Sequence, residues 1–181
     1  NRAIADRDPS IRHAVIEASA GTGKTFMVNA LIQHVQSKCG WTSVVGAAFQ
    51  GNAAANLFPG AHTLHSLFDI PINENRSGHK PKINLIADRL KNCKLIVIDE
   101  ISMVSSKLLR IIEGRVRAAM AANGFPDSNI PFAGIPVVCI GDFLQIPPNS
   151  GMSCAVGAMS DSYDDKLFRD FQRIQLKKVM R

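Results

Sequence analysis

The sequence predicts an α/β fold in which a parallel β-sheet is flanked by helices on both faces. Four short apolar runs have the length of strands, and the stretches between them have helical periodicity. Because strands that alternate with helices are joined by crossover connections, they are expected to run parallel and to be covered by those helices. The apolar runs are 14–16, 44–49, 95–98 and 136–140, and the helical stretches are about 24–37, 52–58 and 104–121.

Size and composition fit one domain that spans residues 1–181. The chain has 181 residues, of which 46% are hydrophobic and 20% charged, and this suffices for one buried core but not for two. No apolar run in the sequence approaches the ~20 residues of a membrane helix, so no membrane is expected among its partners. The chain begins with Asn and ends at Val-Met-Arg, which suggests a fragment of a longer protein.

The formal net charge of +6 favours a polyanionic partner. The basic residues are spread along the chain, however, and an ordinary solvated surface explains the charge equally well. The cysteines form no C-x-x-C pair, so neither a zinc site nor a disulfide framework is indicated, and reduced thiols in an intracellular protein are expected. The four cysteines are Cys39, Cys93, Cys139 and Cys154.

The first apolar run leads into a glycine-rich turn and a helix start. Residues 18–25 read Ala-Ser-Ala-Gly-Thr-Gly-Lys-Thr, and such a turn leaves backbone N–H groups free to converge on an anion. The helix N-terminus adds a partial positive charge and Lys24 a full one, while the hydroxyl of Thr25 can bind a magnesium ion. These residues are predicted to form a phosphate-binding loop.

The loop departs from the usual pattern G-x-x-x-x-G-K-S/T at its first position, where Ala18 replaces glycine. An alanine in a left-handed conformation would cost roughly 1 kcal/mol, whereas an alanine that ends a strand would cost nothing. A flexible loop beside an ordinary surface lysine is the simpler alternative, and the flanking strand and helix patterns argue against it.

Two polar stretches rich in helix-breaking residues are predicted to be surface loops. The first lies between Ile70 and Pro81, and the second covers residues 122–134. No repeat, low-complexity tract or linker in the sequence divides the domain.

The third apolar run is predicted to be a buried strand that delivers Asp99 and Glu100 at its C-terminal end. Ligands of open parallel sheets bind at that end. Asp99 can hold Mg²⁺ together with Thr25, and Glu100 can orient and deprotonate the water that attacks the γ-phosphate of a nucleotide. An Asp-Glu pair is otherwise most often a solvated helix start, but the phosphate loop upstream favours the catalytic interpretation.

The fourth apolar run ends in Gly141-Asp-Phe-Leu-Gln-Ile-Pro-Pro. Because two prolines stiffen the turn just after Gln145, its side chain is predicted to hydrogen-bond the γ-phosphate or the attacking water and so to distinguish ATP from ADP. On residue type alone, a solvent-facing turn glutamine is the alternative.

Over nearly the whole chain, these segments resemble the first motor domain of the Pif/RecD-like branch of superfamily 1 DNA helicases. Ala20-Gly-Thr-Gly-Lys-Thr is similar to helicase motif I, and Val97-Ile-Asp-Glu-Ile-Ser-Met is similar to motif II. Pro131-Phe-Ala-Gly-Ile and the later Gly141-Asp-Phe-Leu-Gln-Ile-Pro-Pro are similar to motif III with its lead-in. Motif III is the most specific of these, since general P-loop ATPases lack it.

The resemblance implies a RecA-like P-loop NTPase domain that uses ATP and Mg²⁺. The terminal Gln175-Leu-Lys-Lys-Val-Met-Arg is similar to motif IV, whose arginine, here Arg181, reaches the γ-phosphate. No glutamine that would read adenine precedes the phosphate loop, so adenine selectivity is left open. The residues then expected to bind the nucleotide are Ala20, Gly21, Thr22, Gly23, Lys24, Thr25 and Phe26.

A further resemblance lies between motifs I and II. Ala48-Phe-Gln-Gly-Asn-Ala-Ala and Gly60-Ala-His-Thr-Leu-His-Ser are similar to the family's Ia region, which implies contact with single-stranded DNA. The N–H groups of a helix start can take a backbone phosphate. Packing and core roles remain alternatives for Phe49 and His65. The candidate DNA-binding residues are Phe49, Gln50, Gly51, Asn52, Thr63, His65 and Ser66.

The function predicted from this resemblance is an ATP-dependent DNA helicase motor that moves on single-stranded DNA, 5′-to-3′, together with a missing second RecA-like domain. The isolated domain is expected to be monomeric and weakly active, with roles in DNA repair, recombination or telomere maintenance. Its expected location is the nucleus or mitochondrion of a eukaryote, or the cytoplasm in a bacterial or viral setting. A nucleotide-dependent switch or assembly ATPase is the main alternative. A small P-loop kinase would need an arginine-rich lid, which this sequence lacks.

Overall fold

The computed structural model describes residues 13–19, 21–72, 79–125, 129–143, 148, 151–154 and 167–176. In this part of the chain, six strands form one sheet and five α-helices connect or flank them. The strands are β1 (Ala14–Ala18), β2 (Val44–Ala48), β3 (His62–Thr63), β4 (Leu95–Asp99), β5 (Val137–Gly141) and β6 (Gln172–Leu176). The helices are α1 (Lys24–Cys39), α2 (Gly51–Leu57), α3 (Leu64–Leu67), α4 (Ile83–Leu90) and α5 (Ser106–Ala122).

All strand pairs in this sheet are parallel, and their order is β3-β2-β4-β5-β1-β6. β4 therefore lies between β2 and β5, and β1 lies on the far side of β5. The register pairs Asp99 with Ala48 of β2, and Gly141 with Glu17 of β1. Because parallel strands end at the same edge, the segments that follow β1, β2, β4 and β5 meet there.

Helices cover both faces of the sheet, as the sequence predicts. Alternate residues of β4 point to opposite faces: Ile96 and Ile98 join the cluster that contains buried residues of α4 and α5, and Val97 joins the cluster that contains Val28 and Ile32 of α1. Since β4 is buried on both faces from Leu95 to Ile98, its continuous apolar run has a direct physical explanation. The predicted parallel α/β fold is confirmed.

Four elements of the described chain are additional to the predicted ones. β3 has two residues and α3 has four, which is too short for a periodic signal, and α4 has two turns, below the length at which helical periodicity is decisive. β6 pairs only with β1 among the described strands, and its residues from Gln172 to Gln175 are exposed. An edge strand that faces solvent carries polar residues, so it lacks the apolar run by which buried strands are found.

The prediction that residues 122–134 form a surface loop is wrong for its last part. Pro131–Gly134 form a tight turn in which Phe132 and Ala133 have left-handed backbone angles, with φ of 52°. Phe132 is fully buried in this turn. Its ring lies edge-on to His13, with the ring centroids 5.1 Å apart, and also contacts Phe171. Proline and glycine correctly mark a break in regular structure here, but they carry no information on the burial of the aromatic residue between them.

Among the described residues, no helix combines the length and the apolar character that a membrane crossing requires.

Candidate nucleotide site and strand-binding segment

The segment after β1 has the backbone geometry of a phosphate-binding loop. Gly21 and Gly23 have φ of 81° and 86°, a left-handed conformation that favours glycine. The hydroxyl of Thr22 donates a hydrogen bond to the carbonyl of Ser19 at 2.7 Å, which closes the turn. Lys24 then begins α1, so the first N–H groups of this helix have no intrahelical partner and can bind an anion.

Ala18, the departure from the usual loop pattern, is the last residue of β1 and is buried. Its backbone is therefore extended and not left-handed, so alanine at this position carries no conformational cost. Ala20 lies outside the described residues.

Asp99 ends β4 at the same edge of the sheet, and Glu100 immediately follows it. The backbone N–H of Glu100 donates to Oδ1 of Asp99 at 2.8 Å. Burial raises the pKa of Asp99, while this hydrogen bond and the positive charge of Lys24 act in the opposite direction. The electrostatic influence of Lys24 on Asp99 indicates that the lysine and the carboxylate share one site.

The carboxylate of Glu100 has a defined partner. Its Oε2 accepts a hydrogen bond from the backbone N–H of Gln50, with 2.9 Å between the two atoms. The backbone of Glu100 has φ of 57°, in the left-handed region that a side chain disfavours. Strain of this kind persists where the surrounding structure enforces it, which is common at functional sites.

These residues line one small cavity. It has a volume of about 110 Å³ and lies at the C-terminal edge of the sheet. The structure therefore brings Lys24, Asp99 and Glu100 together as the sequence predicts, and adds Gln50 from the segment assigned to DNA. The lining residues are Lys24, Gln50, Asp99, Glu100, Ser102, Met103, Gly141 and Asp142.

Gly141 is a site residue that the sequence interpretation did not single out. A Cβ atom at this position would lie 2.8 Å from Cγ2 of Ile101 and 3.2 Å from the backbone nitrogens of Ile101 and Ser102. Only glycine therefore lets the end of β5 approach the turn after Glu100. The Gly-Asp pair that opens the motif III segment could have indicated this residue, but the prediction used only Gln145 of that segment.

The donors near Lys24 suit a magnesium ion. Mg²⁺ prefers carboxylate and hydroxyl oxygens and usually takes few protein ligands together with phosphate oxygens, and Asp99 with Thr25 would offer one of each. No three His, Cys, Asp or Glu side chains form a metal-binding cluster within the described ranges. Thr25 and Phe26 both lie on the exposed side of the first turn of α1, where Phe26 is 81% exposed.

The candidate DNA-binding residues comprise an exposed group, the half-buried Thr63, and a half-buried aromatic pair. Gln50, Gly51, Asn52 and Ser66 are exposed where β2 leads into α2 and where α3 begins. Thr63 caps α3, because its hydroxyl oxygen accepts the backbone N–H of Ser66 at 3.2 Å.

Phe49 and His65 form the half-buried aromatic pair. Their rings meet edge to face, with the centroids 5.8 Å apart, and partial burial lowers the pKa of His65. Both line a larger cavity of about 640 Å³. They pack against protein on one side and face this cavity on the other, so the packing role and the contact role are compatible.

The larger cavity also contains residues that the sequence interpretation missed. Lys107, Ile111 and Arg115 of α5 line it, and their spacing of four residues, which places them on one face of a helix, was the readable signal. Its lining residues are Phe49, His65, Ile70, Pro71, Ile72, His79, Met103, Ser105, Lys107, Leu108, Ile111, Arg115 and Pro148. Two further predicted site residues, Gln145 and Arg181, lie outside the part of the chain that the structure describes.

The sheet order, the glycine-rich loop after β1 and the acidic pair after β4 define a RecA-like P-loop NTPase fold. Residues 9–181 match the family model described as PIF1-like helicase. The chain belongs to this family, and the predicted resemblance to Pif/RecD-like helicases is confirmed.

Individual relatives agree with this assignment. The chain is 32% identical over 160 residues to the ATP-dependent DNA helicase Pif1 of Psychrobacter sp. (strain PRwf-1), with 86% of this chain and 22% of that protein covered. It is 34% identical over 138 residues to the ATP-dependent DNA helicase PIF1 of Homo sapiens, with 72% and 19% covered. The chain therefore spans about a fifth of the length of these curated relatives.

Solved structures show the same likeness. Bacteroides Pif1 bound to ssDNA matches with a TM-score of 0.70 and 31% identity, over 93% of this chain and 39% of that one. Bacteroides Pif1 in complex with ADP-AlF3 and ssDNA matches with a TM-score of 0.69 and 27% identity, over 99% and 40%.

Proposed function

We propose that this chain is the ATP-hydrolysing motor domain of a DNA helicase, and that it works with Mg²⁺, single-stranded DNA and a second RecA-like domain. The observation that carries the proposal is the meeting of Lys24, Asp99 and Glu100 in one cavity at the C-terminal edge of the sheet. Family membership supports it, since the relatives are named ATP-dependent DNA helicases.

Each residue of the proposed nucleotide site has a physical role. The N–H groups at the start of α1 and the Lys24 ammonium bind the β- and γ-phosphates. Thr25 and Asp99 would hold Mg²⁺, which neutralises phosphate charge when bound. Glu100 orients the attacking water and accepts its proton. Gln145 contacts the γ-phosphate or the attacking water, and Arg181 contacts the γ-phosphate. Phe26, next to Thr25, is the proposed apolar contact of the nucleotide.

The proposed single-strand site is the segment after β2 together with the start of α3. Its residues are Phe49, Gln50, Gly51, Asn52, Thr63, His65 and Ser66. Backbone N–H groups and hydroxyls suit phosphate contacts, and the Phe49 and His65 rings offer apolar faces to bases. The net charge of +6 agrees with a polyanionic ligand. The ssDNA complexes of Bacteroides Pif1 support this assignment by analogy.

Four further proposals concern the full-length protein and the isolated domain. Movement is 5′-to-3′, a second RecA-like domain completes the nucleotide cleft, and the isolated domain is monomeric and weakly active. The protein acts inside the cell, in the nucleus, mitochondrion or cytoplasm according to its source.

The test is ATP hydrolysis by the full-length gene product, measured with and without single-stranded oligothymidine. We expect the single strand to raise the rate, and Lys24→Ala to lower the stimulated rate by roughly a hundredfold or more because it removes phosphate charge stabilisation. Lys38→Ala, at the exposed C-terminal end of the same helix, is the matched control and should stay within about twofold of wild type.

Two outcomes would count against the helicase assignment. A rate that DNA leaves unchanged, together with strand separation that survives Lys24→Ala, would contradict it. Hydrolysis without any strand separation would instead favour the switch or assembly ATPase.

A further inference from the structure

One hydrogen bond connects the proposed catalytic glutamate to the proposed DNA-binding segment. The backbone N–H of Gln50 donates to Oε2 of Glu100 at 2.9 Å, across fifty residues of sequence. Gln50 is the residue immediately before α2, and Glu100 immediately follows β4. A hydrogen bond to an ionised acceptor is stronger and shorter than a neutral one, so this contact determines where the carboxylate points.

The direction of this contact follows from the strand order. β2, which leads to Gln50, lies on one side of β4, whereas β5 and then β1 lie on the other. The phosphate loop follows β1. The Glu100 carboxylate is thus bonded toward the β2 side of β4, whereas Lys24 of the phosphate loop lines the same cavity. A base for the attacking water must be free to turn toward the γ-phosphate.

The main chain around Gln50 can transmit a displacement. Its N–H holds Glu100, and its carbonyl accepts the N–H of Ala54 at 3.0 Å in the first turn of α2. The residues Gln50, Gly51 and Asn52 are exposed beside this turn. A nucleic-acid backbone that binds there and shifts the start of α2 therefore also shifts the donor that restrains Glu100.

We propose that the backbone N–H of Gln50 is a latch that restrains Glu100, and that a single strand bound at residues 49–52 opens it. This inference rests on the proposed function, in which Glu100 activates water and residues 49–52 contact DNA. It makes Gln50 a positioning residue that acts through Glu100. Hydrolysis in the absence of DNA is slow in this scheme because Oε2 of Glu100 is engaged by the Gln50 N–H and not by the attacking water.

The experiment compares Gln50→Pro with Gln50→Ala in the full-length gene product. Proline has no backbone N–H and therefore removes the latch, and the carbonyl of residue 50 can still accept from Ala54. Alanine deletes the same side chain but keeps the N–H. Any effect of losing the side chain appears in both variants, so the difference between them reports the latch.

The readout is the rate of ATP hydrolysis at saturating ATP, with no DNA and with saturating oligothymidine. We expect Gln50→Pro to hydrolyse ATP roughly threefold or more faster than Gln50→Ala without DNA, and to show a correspondingly smaller stimulation by DNA. Equal stimulation in the two variants would overturn the latch, and so would an equal fall of both rates in Gln50→Pro. A wild-type protein that DNA does not stimulate would overturn the proposed function itself.

A second measurement does not depend on how proline is tolerated. In protein labelled with ¹⁵N-glutamine, the Gln50 amide proton is expected to resonate downfield because it is bonded to a carboxylate, and Glu100→Gln should move it upfield. Addition of oligothymidine to the wild type should move it toward its position in the DNA complex of Glu100→Gln. An amide signal that stays at its downfield position in the wild-type DNA complex would overturn the latch.

Discussion

Glu100 combines a strained backbone with a directed side chain. Its φ of 57° costs roughly 1 kcal/mol or more relative to the right-handed region. In this conformation its backbone N–H donates to Asp99 and its carboxylate accepts from Gln50. These two hydrogen bonds hold Glu100 in a backbone conformation that a residue with a side chain disfavours. We infer that this strain serves to aim the carboxylate at the edge of the sheet where the segments after β1, β2 and β4 meet.

The role of the Glu100 carboxylate can be separated from its structural contact. Glu100→Gln keeps an oxygen that can accept the Gln50 N–H but cannot take a proton from water. We expect kcat for ATP hydrolysis to fall by roughly a hundredfold or more, while the Kd for ATP and the thermal midpoint of unfolding change little. A variant that retains more than about a tenth of the wild-type kcat would contradict the general-base assignment.

Gly141 tests the close approach between β5 and the turn after Glu100. Because a Cβ would lie 2.8 Å from Cγ2 of Ile101, Gly141→Ala should displace this turn, lower the free energy of unfolding by about 1–3 kcal/mol and reduce ATP hydrolysis. Gly114→Ala, on the exposed surface of α5 with nothing within 4 Å of the new Cβ, is the control and should stabilise the protein by about 0.5–1 kcal/mol. Equal stability and activity in both variants would show that the approach is not close.

At the scale of elements, His13, the residue just before β1, is a buried histidine that contacts the neighbouring strands. Nδ1 of His13 accepts the backbone N–H of Val137 at 3.2 Å, which requires the unprotonated ring nitrogen. The imidazole ring also stacks on the ring of Phe171, with the centroids 5.0 Å apart. The backbone carbonyl of His13 accepts the N–H of Gln172 at 2.7 Å. His13 therefore joins the starts of β5 and β6 to that of β1.

This arrangement predicts a pH-dependent stability. Burial lowers the pKa of His13 below its usual value of 6.5, although Asp170 acts in the opposite direction. The unfolded chain therefore takes up a proton at higher pH than the folded one, so the stabilisation is complete above about pH 6.5 and is lost as the pH falls below it. Denaturant unfolding at pH 7.5, 6.5 and 5.5, a series centred on the usual histidine pKa of about 6.5, measures this loss of stability.

The control for this prediction is His13→Asn, which keeps an acceptor but does not titrate. The wild-type free energy of unfolding should fall by more than that of the variant, by up to about 1.4 kcal/mol for each pH unit in this window. Parallel pH profiles for the two proteins would exclude His13 as the cause.

The predictability of the elements follows from where they lie in the sheet. β1, β2, β4 and β5 are internal strands with buried apolar residues, and sequence periodicity predicts them and their parallel pairing. β6 is exposed at the edge and β3 pairs over only two residues, so their formation depends on neighbours far away in sequence. Phe132 shows the same limit, because its burial requires His13 and Phe171 to be in place.

At the scale of the whole molecule, the candidate site was predictable where one short segment carries the chemistry. The loop with Lys24 and the pair Asp99 and Glu100 are read from local sequence alone. The bond from Gln50 to Glu100 joins segments fifty residues apart, and no local pattern contains it. The cavity that Phe49 and His65 share with Lys107 and Arg115 likewise requires α5 to be folded against the ends of the strands.

A strand-separation assay with the full-length gene product would show whether this domain drives a DNA helicase. The substrate is a fluorescently labelled duplex with a single-stranded tail at either the 5′ or the 3′ end, in the presence of ATP and Mg²⁺. The proposal predicts ATP-dependent separation of the 5′-tailed duplex and none of the 3′-tailed one. Failure to separate either duplex, under conditions where the protein binds the tail and hydrolyses ATP, would contradict it.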